Sequence, residues 1–223
     1  MNVKLLIAGS ALACASTVAA AAESNVDRFL DNLASHCGEA YAGRVVANEP
    51  VTGPDPFANR YLVMQVAECQ PDEVRLMFHV SDDGERQWIL KRTKRGLQLR
   101  HAHRTADGTP LALTMYGGET VDEGTPTRQE FPADAYTIAL FEREDLEVGR
   151  ENVWAMELAD DERFVYELAR EDGRLLQIEF DLSQPVELPE TALTLAARRA
   201  ADDFAIEIGR EPFGIEEGHV EQA

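Results

Sequence analysis

Residues 74–108 read VRLMFHVSDDGERQWILKRTKRGLQLRHAHRTADG, and their alternation decides the fold. Apolar and polar residues exchange places at every second position, the period of a half-buried β-strand. The runs break at Asp82-Asp83-Gly84, Arg95-Gly96 and Ala106-Asp107-Gly108. An x-Asp-Gly loop suits a type I turn whose glycine takes the left-handed position and forms a bulge. Loops at 82–84, 95–96 and 106–108 predict the pairs Phe78–Trp88, Trp88–His103 and Leu90–His101, then His103–Leu111 and His101–Leu113. A one-residue slip would turn every side chain to the other side, so the three loops can be tested for agreement. They agree on one inward face: Val74, Leu76, Phe78, Val80, Trp88, Leu90, Leu97, Leu99, His101, His103, Leu111, Leu113 and Met115. The opposite face, with Arg75, His79, Gln87, Lys91, Gln98, Arg100 and Arg104, is expected to meet solvent.

The same texture runs outward in both directions. Leu62, Met64 and Val66 can join the first meander. Loops at 160–162 and 171–173, the latter Glu171-Asp172-Gly173, align Trp154, Met156, Leu158, Phe164, Tyr166, Leu168, Leu176, Ile178 and Phe180. Between the meanders, GGETVDEGTPTRQEFPAD (117–134) is a polar connection, and AYTIALFERE reads as a short helix capped by Asp134. Ahead of the strands, Val26, Phe29, Leu30 and Leu33 mark a short amphipathic helix ending near Gly38. About ten antiparallel strands with one buried face each imply an all-β, up-and-down antiparallel β-barrel with short N- and C-terminal helices; a two-sheet β-sandwich is the alternative. One domain spans 23–188. Leu193, Ala197, Ala200, Phe204 and Ile208 stripe a C-terminal helix over 189–209, and 210–223 reads as a disordered acidic tail.

The chain opens MNVKLLIAGSALACASTVAAAAES, where one lysine precedes an apolar run and then small residues. That is the layout of a cleaved secretory leader over 1–22 and places the mature protein in the periplasm or outside the cell. Ala11 stands where a lipobox carries Leu, which argues against a lipoprotein built on Cys14. Cleavage leaves Cys37 and Cys69, an even pair in an exported chain and therefore an expected disulfide. Such a bond closes a loop worth roughly 3–4 kcal/mol in the chain-entropy picture.

Charge limits the partners. Against 21 Lys+Arg stand 41 Asp+Glu, a formal net charge of −20, with the acids dispersed along the chain. That field repels phosphate backbones and anionic lipid heads, so nucleic acid is not an expected partner, and no membrane insertion is expected after leader cleavage.

The candidate site is Arg86, Trp88, His101 and His103. Register turns both imidazoles inward beside Trp88, with Arg86 one step further along the same face. Together they offer a stacking surface, two switchable donors and a fixed cation, suited to a small, partly aromatic or anionic ligand. The alternative is architectural: the histidines bond to backbone or to Asp107 and lock the hairpin. A third reading takes His101 and His103 as an HxH metal pair, as in cupins, but the further ligands a metal needs are missing nearby. No cofactor is implied, and no GxSxG or activated cysteine marks a nucleophile.

A short N-terminal helix, the GEAYAG entry (38–43) to the first strand, an antiparallel meander and a C-terminal helix resemble the calycin plan of lipocalins, with Tyr41 near the place of the lipocalin GxW tryptophan. RHAHRTADG, TMYGG and RQEFPAD are similar to a family of bacterial secreted proteins of unknown function, over most of 25–183. The first resemblance implies a small-ligand barrel; the second implies export and no particular activity. The functional expectation is an exported small-ligand-binding barrel, with a metal-dependent enzyme or a structural protein of the envelope as alternatives.

Overall fold

The computed structural model describes residues 23–51, 57–81, 85–105, 107–160 and 162–188. The expected leader, the C-terminal helix and the acidic tail lie outside the described residues, as does the Asp82-Asp83-Gly84 loop.

Helix α1 (Asn25–Ala34) begins with a reciprocal cap. Ser24 Oγ accepts from the Asp27 N–H (3.1 Å), and the Asp27 carboxylate accepts from the Ser24 N–H (3.0 Å). Its Val26, Phe29, Leu30 and Leu33 are buried in the core. Ten strands follow: β1 (Ala40–Glu49), β2 (Leu62–Gln70), β3 (Glu73–Val80), β4 (Glu85–Arg92), β5 (Leu97–Arg104), β6 (Tyr116–Glu119), β7 (Arg128–Pro132), β8 (Val153–Ala159), β9 (Arg163–Ala169) and β10 (Leu175–Pro185). Between β7 and β8 lie α2 (Ala135–Arg143) and a 3-10 turn (Glu147–Glu151). Asp134 caps α2 as expected, its carboxylate accepting from the Thr137 N–H at 3.0 Å. A disulfide ties Cys37, just after α1, to Cys69 on β2, with the Cα atoms 6.2 Å apart.

All strands join one antiparallel sheet in the order β6-β5-β4-β3-β2-β1-β10-β9-β8-β7. Neighbours are consecutive in the chain, and β10 returns to pair with β1. The two edges meet where Gly118 bridges Ala133 and the Asp134 N–H donates to Gly117 O (3.2 Å), so the sheet forms a nearly closed all-β barrel rather than two sheets. A Cβ on Gly118 would lie 1.9 Å from Pro132 O, and this close approach requires glycine.

The second meander has the expected register, with Leu158 opposite Phe164 and Leu168 opposite Leu176. The first is displaced by two residues. Leu76, not Phe78, faces Trp88. Trp88 faces His101 and Leu90 faces Leu99, instead of His103 and His101. The cause at β4–β5 is the turn itself: Thr93 Oγ1 accepts from the Arg95 and Gly96 amides, and the Thr93 N–H donates to Gly96 O (2.9 Å), so Lys94-Arg95 form the loop. A two-residue displacement keeps the inward face intact.

Two further expectations fail, one in parity and one in exposure. After the 106–108 turn the predicted pairing begins, with the Leu111 N–H donating to His103 O (3.0 Å). Met115 then takes a left-handed conformation (φ 60°), and Tyr116 rather than Leu113 pairs with His101. This bulge leaves Leu111 and Met115 exposed and brings Tyr116 to the interior. On the outer face, His79 and Gln87 are buried rather than solvated, and Arg100 is held by Asp134 (2.6 Å) and lies over the Tyr136 ring.

Candidate functional site

The four predicted residues form two adjacent cross-strand pairs: Trp88 opposite His101, and Arg86 opposite His103. The inner pair belongs to a column of rings. Trp88 is sandwiched between Phe78 (centroids 4.8 Å, planes at 18°) and Tyr166 (4.4 Å, 8°). His101 stacks on Tyr116 (4.6 Å, 12°) and meets Tyr166 edge-on (5.8 Å). Such contacts favour offset stacked and T-shaped geometry, each adding about 0.5–1.5 kcal/mol beyond area burial.

His101 is 1% exposed. Its Nδ1 lies 3.2 Å from Tyr116 O and its Nε2 lies 2.9 Å from Tyr166 Oη. A carbonyl only accepts, so Nδ1 carries the proton and Nε2 accepts from the Tyr166 hydroxyl. The relay from the Tyr166 hydroxyl through His101 to the Tyr116 carbonyl therefore satisfies both ring nitrogens of the imidazole. Burial, with smaller contributions from the His103 and Arg100 charges, pulls the His101 pKa down to about 3 and fixes the neutral form. Burial also pushes the Tyr166 phenol well above its ordinary value.

One rung further along, His103 is half-buried. Its ring meets Tyr116 edge-on (5.4 Å, 82°), and its backbone N–H donates to Thr114 Oγ1 (2.8 Å). Among the described residues its ring nitrogens carry no hydrogen bond. Burial first and the Arg86 charge second lower its pKa to about 4. It is thus a neutral imidazole with donor and acceptor capacity beside a permanent cation. Asp107 does not reach the histidines; it accepts from Thr105 Oγ1 and from the Thr109 N–H (3.0 Å).

Tyr116 is the residue of this candidate site that sequence reasoning missed. It links the two rungs, stacking on one imidazole and meeting the other edge-on, and burial raises its phenol to about 12. The adjacent Gly117-Gly118 pair was the available signal: a Cβ on Gly117 would lie 2.0 Å from Leu99 O, so these glycines seat Tyr116 directly against β5.

For a metal, the His101 nitrogens are both engaged, His36 Nδ1 bonds the Tyr41 hydroxyl (2.7 Å), and His79 is on the outer face. Among the described residues no group of three or more His, Cys, Asp or Glu side chains could hold an ion. His219 lies outside the described residues. No protein-family model matches this chain, and no curated protein matches it.

Proposed function

We propose that the protein is an exported barrel that binds a small molecule at the rim made by Arg86, His103 and Tyr116, over a floor of Trp88 and His101. One observation carries the reading: a half-buried neutral imidazole without hydrogen-bonded ring nitrogens sits opposite a guanidinium and against an aromatic ring. Arg86 supplies charge attraction in a chain whose overall field repels anions, so a planar or aromatic ligand with one anionic or acceptor group fits best. The nitrogens of His103 orient such a group, and the Tyr116 and Trp88 rings exclude water beneath it.

Export is supported by the leader-like residues 1–22 and by the Cys37–Cys69 disulfide, a bond that persists in oxidising compartments. The up-and-down barrel behind a short capped helix is also in keeping with a calycin-like carrier. A metal-dependent reaction at the HxH pair is the weaker reading, because His101 would first have to give up two internal hydrogen bonds.

Native mass spectrometry of the mature protein, purified from its own periplasm, tests the proposal. A small-molecule mass that accompanies the wild type and is lost from Arg86→Ala/His103→Ala, with the variant still folded by circular dichroism, is the expected result. Bare protein in both samples, or a mass retained by the double variant, overturns it.

A further inference from the structure

Alternation gives the outer face of β7–β10 to polar and charged side chains, and two of its rows follow that rule. Glu130, Glu167 and Gln177 share one row, and Arg128, Glu157 and Glu179 share the next. Arg128 ties the two together through ion pairs to Glu130 (3.0 Å), Glu157 (2.8 Å) and Glu167 (2.8 Å). The row nearest the β9–β10 turn departs from the rule. Pro132, Val153, Ala169 and Leu175 are successive cross-strand partners. Their chain neighbours Phe131, Trp154, Leu168 and Leu176 belong to the interior, so all four face outward. Apolar residues in register across four strands make a continuous floor, unlike the single exposed apolar side chains that any surface carries.

A groove of about 530 Å³ lies on this floor, with Val153 and Ala169 at its base and Glu151, Arg170 and Glu171 as its walls. Small-molecule sites run to about 300–1,000 Å³. The lining comes from the ends of two paired strands and the turns beside them, so the groove is short and no trough for an extended peptide. Its charge is one-sided. The Arg170 guanidinium is engaged within the fold: Nε and Nη2 donate to the Asp172 carboxylate (3.2 and 3.1 Å) and Nη1 donates to Asn152 Oδ1 (3.2 Å). The neighbouring cations are drawn elsewhere, Arg150 to Glu142 (3.2 Å) and Arg174 to Asn48 (2.7 Å). The Glu151 and Glu171 carboxylates are exposed and have no ion pair or hydrogen bond among the described residues. Glu151 stands two residues before Val153 and Glu171 two residues after its partner Ala169, so both acids flank the same end of the floor.

We propose that this groove binds a small organic cation, a primary ammonium on an unbranched alkyl stem, with the ammonium between Glu151 and Glu171 and the stem on Val153 and Ala169. An ammonium carries three donors and no acceptor, and two carboxylates supply acceptors and no donor. The apolar floor beside them takes the stem, which selects an alkylammonium over a bare metal ion. The net charge of −20 draws such a ligand toward the chain and repels anions. This site is on the outside of the barrel, whereas Arg86, His103 and Tyr116 are on its inner face, and the two ligand proposals stand or fall independently.

Amide chemical-shift titration of the mature full-length chain tests this, with n-pentylammonium as the probe at low salt, where surface charges are least screened. Saturable shifts centred on residues 151–153 and 169–171 are expected. Ethylammonium, which covers less of the floor, should bind about five- to tenfold more weakly. Pentanoate, the same stem with an anionic head, should give no saturable shift there. Glu151→Gln/Glu171→Gln keeps the shape and removes the charge, and it is expected to weaken pentylammonium about tenfold. The chain-length comparison uses the wild type alone, so it decides the matter even where the double variant fails to fold. Equal affinity for the two ammonium ions, wild-type affinity in the folded double variant, saturable binding of pentanoate at the same residues, or shifts scattered over the acidic surface without saturation overturn the proposal. So does a response to a capped lysine peptide but none to pentylammonium, which would make the groove a peptide-docking surface.

Discussion

At His101 the barrel is dry and both ring nitrogens have partners, whereas at His103, two residues on along the same strand face, the ring is half-exposed and its nitrogens carry no bond among the described residues. The two imidazoles look equivalent in the HxH pattern. Depth in the barrel separates them. The inner one is a structural connector joining β5 to β6 and β9, and the outer one is a polar group available to something that arrives. Inward-facing histidines on one strand therefore need not act together, and the relevant question for each is whether the fold has already satisfied it.

The sharpest way to break that contrast is to cut into the inner layer. Trp88→Ala removes the ring clamped between Phe78 and Tyr166, and by the usual large-to-small cost it should lose about 3–5 kcal/mol in denaturant unfolding. Arg86→Ala, one rung away at the half-buried rim, should cost clearly less than that. Equal losses at the two positions would erase the distinction between floor and rim.

Acid probes the same contrast through protons. In the unfolded chain the imidazoles titrate near 6.5, whereas folded His101 is held near 3 and folded His79 and His103 near 4. Below about pH 6.5 the unfolded state takes up protons that the native state refuses, so stability falls with falling pH by about 1.4 kcal/mol per unit for each imidazole. Above the unfolded pKa this contribution is fully present. The carboxylates Glu73, Glu119, Asp134 and Glu179, lowered in the fold, lose their contribution only in more acidic solution, which leaves pH 6.5–5 as a histidine window. Unfolding measured across that window should show a steep decline, shallower by one proton in His103→Gln. A flat profile would mean that the imidazoles are charged in the fold.

Tyr166→Phe tests the relay alone, since the ring stays and only the hydroxyl leaves. His101 Nε2 then becomes a buried acceptor without a donor, at a cost of about 1–3 kcal/mol. An unchanged denaturation midpoint would show that the hydrogen bond is not formed in solution.

Much of this arrangement was legible in residues 74–108 and 154–180, and the failures have identifiable physical causes. The period-two pattern located the inward face, including Trp88, His101, Trp154 and Tyr166, because burial acts on faces. It could not detect a two-residue displacement, which leaves every face unchanged. The β8–β9 and β9–β10 turns close as read, with Gly173 left-handed at φ 92°. The β4–β5 turn is instead fixed by the Thr93 hydroxyl, a side-chain preference that alternation does not express. Tyr116 escaped because the left-handed Met115 inverts parity just before it, and no residue type announces that conformation at a methionine. The contact between His101 and Tyr166 joins residues 65 apart in the chain, so it follows from barrel closure and not from any local pattern.

The smallest expected effect bears most directly on function. His103→Gln keeps a polar group at the rim and breaks no ring hydrogen bond among the described residues, so at pH 7.5, above its histidine window, the variant should unfold within about 0.5 kcal/mol of the wild type. What it removes is a planar donor and acceptor held in place by the edge of Tyr116, next to the charge of Arg86. If the rim binds a ligand, the thermal shift given by material co-purified with the wild type should shrink in this variant while the intrinsic stability does not. A loss of stability comparable to that of Tyr166→Phe would place His103 in the same structural role as His101, and both histidines would then belong to the architecture.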